Sequence, residues 1–384
     1  MKKPKIVVLI DWYLPGTKAG GPVRSVFSLV TLLKDDFDFY IITSNKDLGS
    51  NTEYSTINPN NLFTKENINY YYFTDNHFNR ETLLLLINEI KPDLIYLNSF
   101  WSFRFSINII RLKIKDLIDS PLLLAPRGML GKGALSLKSF KKTIYITMAK
   151  IFGWYKYVLF HATNKQEEFD IKSHFSSANI KIASNLNSGT LIKNTSIKKT
   201  NTLDVFFLSR ISEVKNLHFA LEILKDIPSD IYINYDIYGN LEDKDYWTSC
   251  TELIKVLPKN VTVNYKRELT FNEVQQTICN YNCLFLPTLN ENFGHSIVES
   301  LLSGCPAIIS DQTPWNDLEM HNAGYAIALN NKQGFLNAII QMAKLDQEAF
   351  SQKSKDANSY ISGKITLEQN INLYKNLFNG ILKN

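Results

Sequence analysis

The sequence predicts an α/β protein of two domains, each a parallel sheet with helices on both faces. The chain has 384 residues, and a single hydrophobic core stops growing near about 250–300 residues. Short apolar runs alternate with longer amphipathic segments along the whole chain, as strand–helix units do. A polar stretch at 185–201, rich in Asn, Ser, Thr and Lys and without period, reads as a linker that divides the alternation into two halves.

In the first half, strands are expected at Lys5–Ile10, Phe37–Thr43, Leu94–Leu97, Leu122–Ala125 and Val158–His161. The second half offers Leu203–Leu208, Tyr232–Tyr238, Val261–Tyr265, Cys283–Leu286 and Ala307–Ser310. Helical patterns lie between them, as at Val23–Leu33, Asn216–Lys225 and His295–Ser303. An amphipathic helix closes the chain at Leu367–Leu382, its last turn weakened by Gly380. The expected boundaries are 1–195 for the first domain, 196–363 for the second, and 364–384 for a C-terminal helix packing back toward the first.

Apolar residues make up 45% and charged residues 21%, which is ordinary globular composition. The segment Met1–Lys5 has the charge of a signal peptide, but Asp11 ends the apolar run Ile6–Ile10 at once, so a buried first strand explains it better. No stretch reaches the ~20 apolar residues of a membrane span. Cys250, Cys279, Cys283 and Cys305 lack zinc-ligand spacing and read as reduced core thiols of a cytosolic protein, so no metal site is expected.

Net charge is +5, unevenly spread: residues 1–195 carry 25 Lys+Arg against 16 Asp+Glu, and residues 196–384 carry 17 against 21. Residues 101–160 alone hold 11 basic and 2 acidic residues, so the excess sits in one region. An anionic membrane surface, a phosphorylated substrate or nucleic acid would each account for it. No recognised nucleic-acid-binding motif is present, so nucleic acid is not an expected partner.

In parallel α/β sheets, ligands sit beyond the carboxyl ends of strands, on loops that start helices. The segment Pro287–Ser300 has that layout: a loop carrying Glu291, Asn292, Phe293 and Gly294, then a helix from about His295 with Glu299 one turn in. The N–H groups near Phe293, Gly294 and His295 form a helix N-terminus suited to an anion. Gly294 permits close approach of backbone to ligand. Two carboxylates beside an anion site fit a ligand with hydroxyls at both ends and phosphates in the middle. A second loop places Arg210 and Lys215 five apart between a strand and a helix, a fork and a point charge for phosphate oxygens.

These segments resemble retaining glycosyltransferases of the GT-B fold, specifically the large family four, whose Glu-x7-Glu motif matches Glu291 and Glu299. The similarity continues through Leu301–Ile309, and Thr313–Glu319 looks like the version found in bacterial polysaccharide-assembly members. The resemblance implies two Rossmann-like domains with parallel sheets facing a central cleft. It also implies Glu291 on the hydroxyls of the transferred sugar, Glu299 on the donor ribose, and Arg210 and Lys215 on the donor diphosphate, stabilising charge on the leaving nucleotide. Ser209 stands where Gly is usual, and Asn216 where Gly is common. Gly239, in Tyr238-Gly239-Asn240, has a family counterpart near the nucleotide base, and a plain strand-ending turn accounts for it equally well. Lys266 and Arg267 occupy the base-binding loop where the family usually shows Gly.

In the first half, the Gly-rich loop Asp11–Arg24 lacks the fingerprints of dehydrogenases and P-loop ATPases. Its Gly20-Gly21 pair resembles the family loop that closes over donor phosphates and sugar. Arg127 follows a buried strand, where many members place a histidine. A ligand for acceptor phosphate or leaving group and a structural ion-pair residue are both open readings. The run His161–Glu168 also resembles the family, where a Thr and a Glu cap the next helix. The stretch 131–160 carries Lys132, Lys138, Lys141, Lys142, Lys150 and Lys156 among Phe140, Ile144, Ile146, Ile151, Phe152 and Trp154. It suits either an inner-membrane surface with anionic headgroups or a domain helix with a solvated lysine face.

The activity implied is retaining transfer of a hexose-type sugar from a UDP- or GDP-linked donor, needing no metal or further cofactor. The implied acceptor is a growing, lipid-linked glycan in capsule or O-antigen type polysaccharide synthesis. The implied location is the cytoplasm, or peripherally the cytoplasmic face of the membrane. The first-half motifs hold no credible nucleophile, which favours same-face displacement with the departing phosphate taking the acceptor proton. A sugar-nucleotide epimerase of the same fold and a catalytically inactive nucleotide-sugar-binding partner are the alternatives.

Overall fold

The computed structural model describes residues 2–131, 134–135 and 139–383. The chain forms two compact units, Met1–Ser188 with Leu367–Asn384, and Gly189–Thr366. The crossings at 188/189 and 366/367 stand a few residues from those that composition suggests.

The first unit holds β1 (Lys5–Ile10), β2 (Asp38–Ser44), β3 (Phe63–Lys65), β4 (Ile68–Phe73), β5 (Leu94–Asn98), β6 (Leu122–Ala125), β7 (Val158–Ala162) and β8 (Ile180–Ile182). They form one sheet in the order β3-β4-β2-β1-β5-β6-β7-β8, parallel throughout except for the β3–β4 pair. β5 and β6 are buried along their whole length, as parallel strands covered on both faces must be. The helix Leu367–Leu382 belongs to this unit. Its Tyr374, Leu377 and Phe378 recur at helical spacing and are buried. Phe378 meets the rings of Phe37 and Tyr96, and Tyr374 that of His161.

The second unit holds β9 (Thr202–Leu208), β10 (Tyr232–Tyr238), β11 (Val261–Tyr265), β12 (Cys283–Leu286), β13 (Ala307–Ser310) and β14 (Gly324–Ile327). All pairs are parallel, in the order β11-β10-β9-β12-β13-β14. The order reverses between β9 and β12 in this sheet and between β1 and β5 in the first. Ligands of such sheets bind at these switch points, beyond the strand carboxyl ends.

The polar stretch is not a free linker over most of its length. Beyond residue 188 it is strapped along the second unit: the Ile192 N–H donates to the Leu302 carbonyl (2.8 Å), the Thr195 N–H to Cys279 (2.9 Å) and the Asn194 amide to Tyr281 (2.9 Å). Lys198 is buried, and its ammonium donates to the carbonyls of Lys199, Thr202 and Ala343. Burial pulls its pKa down to about 8. The polar side chains satisfy buried backbone carbonyls, so they follow no helix or strand period. All four cysteines are buried free thiols. Among the described residues no helix is long and apolar enough to cross a membrane, and no His/Cys/Asp/Glu group could hold a metal ion.

Candidate functional site

The loops after β9 and β12 flank the second unit's switch point. The first runs from Ser209 through a 3-10 turn, Glu213–Lys215, into the helix Leu217–Leu224. Asn216 joins turn to helix in the left-handed region (φ 58°), which Asn tolerates better than most residues, so it can stand where Gly is common. The expected helix start therefore moves one residue on. The Asn216 amide also donates to the Pro287 carbonyl (3.0 Å) in the second loop. The Val214 carbonyl accepts from the Leu289 N–H (2.8 Å) and the Thr288 hydroxyl (3.0 Å).

This lacing brings two of the expected residues together: Lys215 Nζ donates to Glu291 Oε2 at 2.5 Å. The Lys215 side chain is 10% exposed and that of Glu291 18%, so solvent screens the pair little. The Glu291 N–H donates to Gln312 O (2.9 Å), and the Trp315 indole to Phe293 O (2.6 Å). The helix His295–Leu302 begins at Gly294 (φ 79°), which has no side chain of its own to cap it. A Cβ at Gly294 would meet Ile297 Cδ1 at 2.8 Å and Glu291 Cγ at 3.1 Å. Gly294 thus supplies both the backbone conformation and the room beside Glu291. Asn292 and His295 are partly exposed, Phe293 is buried, and Glu299 is the fifth residue of the helix, half-buried.

Arg210 takes a partner that sequence reasoning missed. Its Nη1 donates to both carboxylate oxygens of Glu242, each at 2.7 Å. The turn Gly239–Glu242 packs directly on the Arg210 loop. Gly239 has φ 146°, and a Cβ there would stand 1.8 Å from the Ser209 carbonyl oxygen. Gly239 is therefore required by backbone approach. Lys266 lies 3.5 Å from Asp236, and Arg267 is clamped to Glu273.

In the first unit, Arg127 sits in the left-handed region (φ 58°) after β6. It donates to Asn98 Oδ1 (3.2 and 2.6 Å), Asn185 Oδ1 (2.5 Å) and the Tyr96 hydroxyl (3.2 Å). These partners are neutral, and none of the described residues forms an ion pair with it, so the ion-pair reading is set aside. Glu167 accepts from the Gly128 N–H (2.6 Å), the Thr163 N–H (2.8 Å) and the Thr163 hydroxyl (2.7 Å). The cap of the following helix is Asn164 (2.8 Å to the Glu167 N–H), where a Thr was expected. Gly20 (φ 66°) precedes the helix Gly21–Leu33. The loop before it is braced by Asp47, which accepts from the N–H groups of Thr17 (3.1 Å) and Lys18 (3.3 Å).

The Arg127 contacts extend inward. His161 Nε2 lies 2.7 Å from the Ala183 carbonyl and therefore carries the proton, so Nδ1 accepts from Tyr96 OH at 2.7 Å. Burial, then the Arg127 charge, holds the His161 pKa down at about 3 against an ordinary 6.5. The unfolded chain binds this proton near pH 6.5 and the folded chain does not. The stability this contributes is complete above pH 6.5 and is lost as pH falls from 6.5 toward 3. His161→Gln is expected to flatten the fall in thermal midpoint between pH 7 and 5. An unchanged slope would remove His161 from the account.

Residues 190–359 match the family model described as glycosyl transferases group 1. Anabaena HepE, solved with UDP and glucose, is similar at 16% identity and TM-score 0.73, covering 98% of this chain and 100% of that one. Sucrose-phosphate synthase from Thermosynechococcus elongatus is similar at 13% identity and TM-score 0.71, with 98% and 100% covered. WaaG, a glycosyltransferase involved in lipopolysaccharide biosynthesis, follows at 11% identity and TM-score 0.67, again with 98% and 100% covered. No curated protein matches the chain. The fold is that of the GT-B glycosyltransferases, and the stretch that matches the glycosyl transferases group 1 model lies within the second unit.

Proposed function

We propose that the protein transfers a hexose from a UDP- or GDP-linked donor to a lipid-linked glycan, with retention of configuration, in cell-surface polysaccharide assembly. The observation that carries this reading is the Lys215–Glu291 contact at the switch point of a unit that matches the group 1 glycosyltransferase model. Arg210 and Lys215 offset the charge on the leaving diphosphate, and Glu291 accepts from sugar hydroxyls with its orientation set by Lys215. Glu299 takes the donor ribose, Gly294 and the N–H groups around it take phosphate oxygens, and Gly20, Gly21 and Arg127 are the binding residues proposed for the first unit. The bond from the sugar's anomeric carbon to phosphate oxygen breaks and the bond to acceptor oxygen forms on the same face. The acceptor proton leaves with the phosphate. No metal or further cofactor enters this scheme. UDP bound to HepE and the lipopolysaccharide role of WaaG support the donor and pathway assignments.

The test is nucleotide release from a panel of UDP- and GDP-sugars, with and without a lipid-linked acceptor extract, alongside Glu291→Ala. Release that needs both donor and acceptor and vanishes in the variant supports the proposal. Inversion at a donor carbon without acceptor would mean an epimerase, and donor binding without turnover a binding partner.

The acceptor assignment draws on the helix Ser139–Ile151. Ile146 and Ala149 are buried, whereas Phe140, Ile144, Met148 and Ile151 form an exposed row, with Phe140 77% and Ile151 73% exposed. Of the apolar residues in the stretch, only some face inward. Lys141 and Lys150 flank the row, and Lys132 and Lys138 lie outside the described residues. Apolar residues framed by lysines suit an anionic lipid surface, and we propose that this helix rests on one. Phe140→Ser with Ile151→Ser is expected to lower co-sedimentation with phosphatidylglycerol vesicles several-fold. Unchanged sedimentation would count against membrane contact here.

A further inference from the structure

The two cations expected to meet a diphosphate are held differently. Lys215 and Glu291 are largely shut from water, whereas Arg210 and Glu242 are 35% and 34% exposed. Glu242 is also held in place by the backbone around it. Ile211 donates to the Asn240 carbonyl (2.9 Å), Asp243 donates back to Ile211 (3.2 Å), and Ile211 pairs with Leu241 in a short parallel bridge. The next residue, Asp243, caps the helix Lys244–Lys255 through its bond to the Tyr246 N–H (2.9 Å). Glu242 thus stands between a turn fixed on the Arg210 loop and a capped helix, and presents both oxygens to one guanidinium nitrogen.

We infer that Glu242 is a built-in carboxylate placeholder for phosphate on Arg210, one that an incoming nucleoside diphosphate displaces and that sets donor affinity. The inference rests on the reading of Arg210 as a donor-phosphate ligand. A guanidinium donates to carboxylate and phosphate oxygens alike, so the two anions compete for one place. The exposed pair exchanges at low cost, and the carboxylate's remaining charge repels a diphosphate. Without an anion bound, Arg210 stays paired with Glu242.

The experiment is titration of the full chain with UDP, GDP and inorganic pyrophosphate. The proteins are wild type, Glu242→Gln, Glu242→Asp, Arg210→Ala and the Arg210→Ala/Glu242→Gln pair. Glu242→Gln is expected to bind the preferred nucleotide and pyrophosphate about 2- to 5-fold more tightly, the range an exposed ion pair supports. Glu242→Asp, with its carboxylate drawn back by one methylene, should fall between, and the gain should vanish in the Arg210→Ala background. Equal or weaker binding by both Glu242 variants, with wild-type binding intact, overturns the placeholder. A gain that persists without Arg210 overturns it too, by pointing to a general charge effect. Failure of the wild type to bind any of the three ligands overturns the donor reading itself, a result distinct from the others.

Discussion

Replacing Glu291 by alanine is expected to lower donor turnover by about 10²- to 10³-fold, the usual loss when one preorganised polar partner of a transition state is removed. Stability should suffer as well. Lys215 would keep its charge in a site only 10% exposed, with its carboxylate gone, and breaking a buried pair on one side costs about 3–5 kcal/mol. The two effects separate by design. Glu291→Gln with Lys215→Met removes both charges, so it should recover most of the denaturation midpoint while staying inactive. A double variant that regains activity would show that Glu291 serves only to neutralise Lys215. Turnover is read by nucleotide release and stability by urea titration.

The second large effect is expected at Gly239. An alanine there brings a Cβ to 1.8 Å from the Ser209 carbonyl oxygen, at a φ of 146° that side chains rarely adopt. Clash and strain together should cost about 3 kcal/mol or more. The relief available is to push Ser209 and Arg210 away, so nucleotide binding should weaken beyond what the stability loss explains. Gly239→Ala with a wild-type denaturation midpoint and wild-type nucleotide affinity would contradict this packing.

Much of the fold was legible in the sequence because strands buried on both faces write continuous apolar runs. Lys5–Ile10, Leu122–Ala125, Cys283–Leu286 and Ala307–Ser310 are such strands with the expected bounds, and Tyr232–Tyr238, which alternates, and Val261–Tyr265, an exposed edge strand, keep theirs as well. The strands that escaped notice carry weaker patterns. Ile68–Phe73 sets Asn69 and three tyrosines between its Ile and Phe, Phe63–Lys65 and Ile180–Ile182 are three-residue edge strands, and Gly324–Ile327 is only partly buried. Loops after strands were legible too, so Arg210, Lys215 and the Glu291–Gly294 segment could be picked out. Their partners were not. Lys215 and Glu291 are 76 residues apart, and Arg210 and Glu242 are 32 apart. Only the adjacency of β9 to β12 and β10 makes them neighbours. In the stretch 131–160 the composition was plain but the facing was not, because lysines and aromatics recur too densely to favour one side.

The packing of Tyr374 and Phe378 against Phe37, Tyr96 and His161 has a consequence for protein engineering. In chain order the second unit is an insertion within the first, entering after Ser188 and leaving before Leu367. A fragment that stops at Ser188 would strip an aromatic face bare and leave His161 without its neighbour. A chimaera that exchanges 189–366 as a single cassette keeps both pieces of the host together. Exchanging the second unit between proteins of this architecture is therefore a two-junction graft, and a single cut at the midpoint of the sequence should yield aggregating halves.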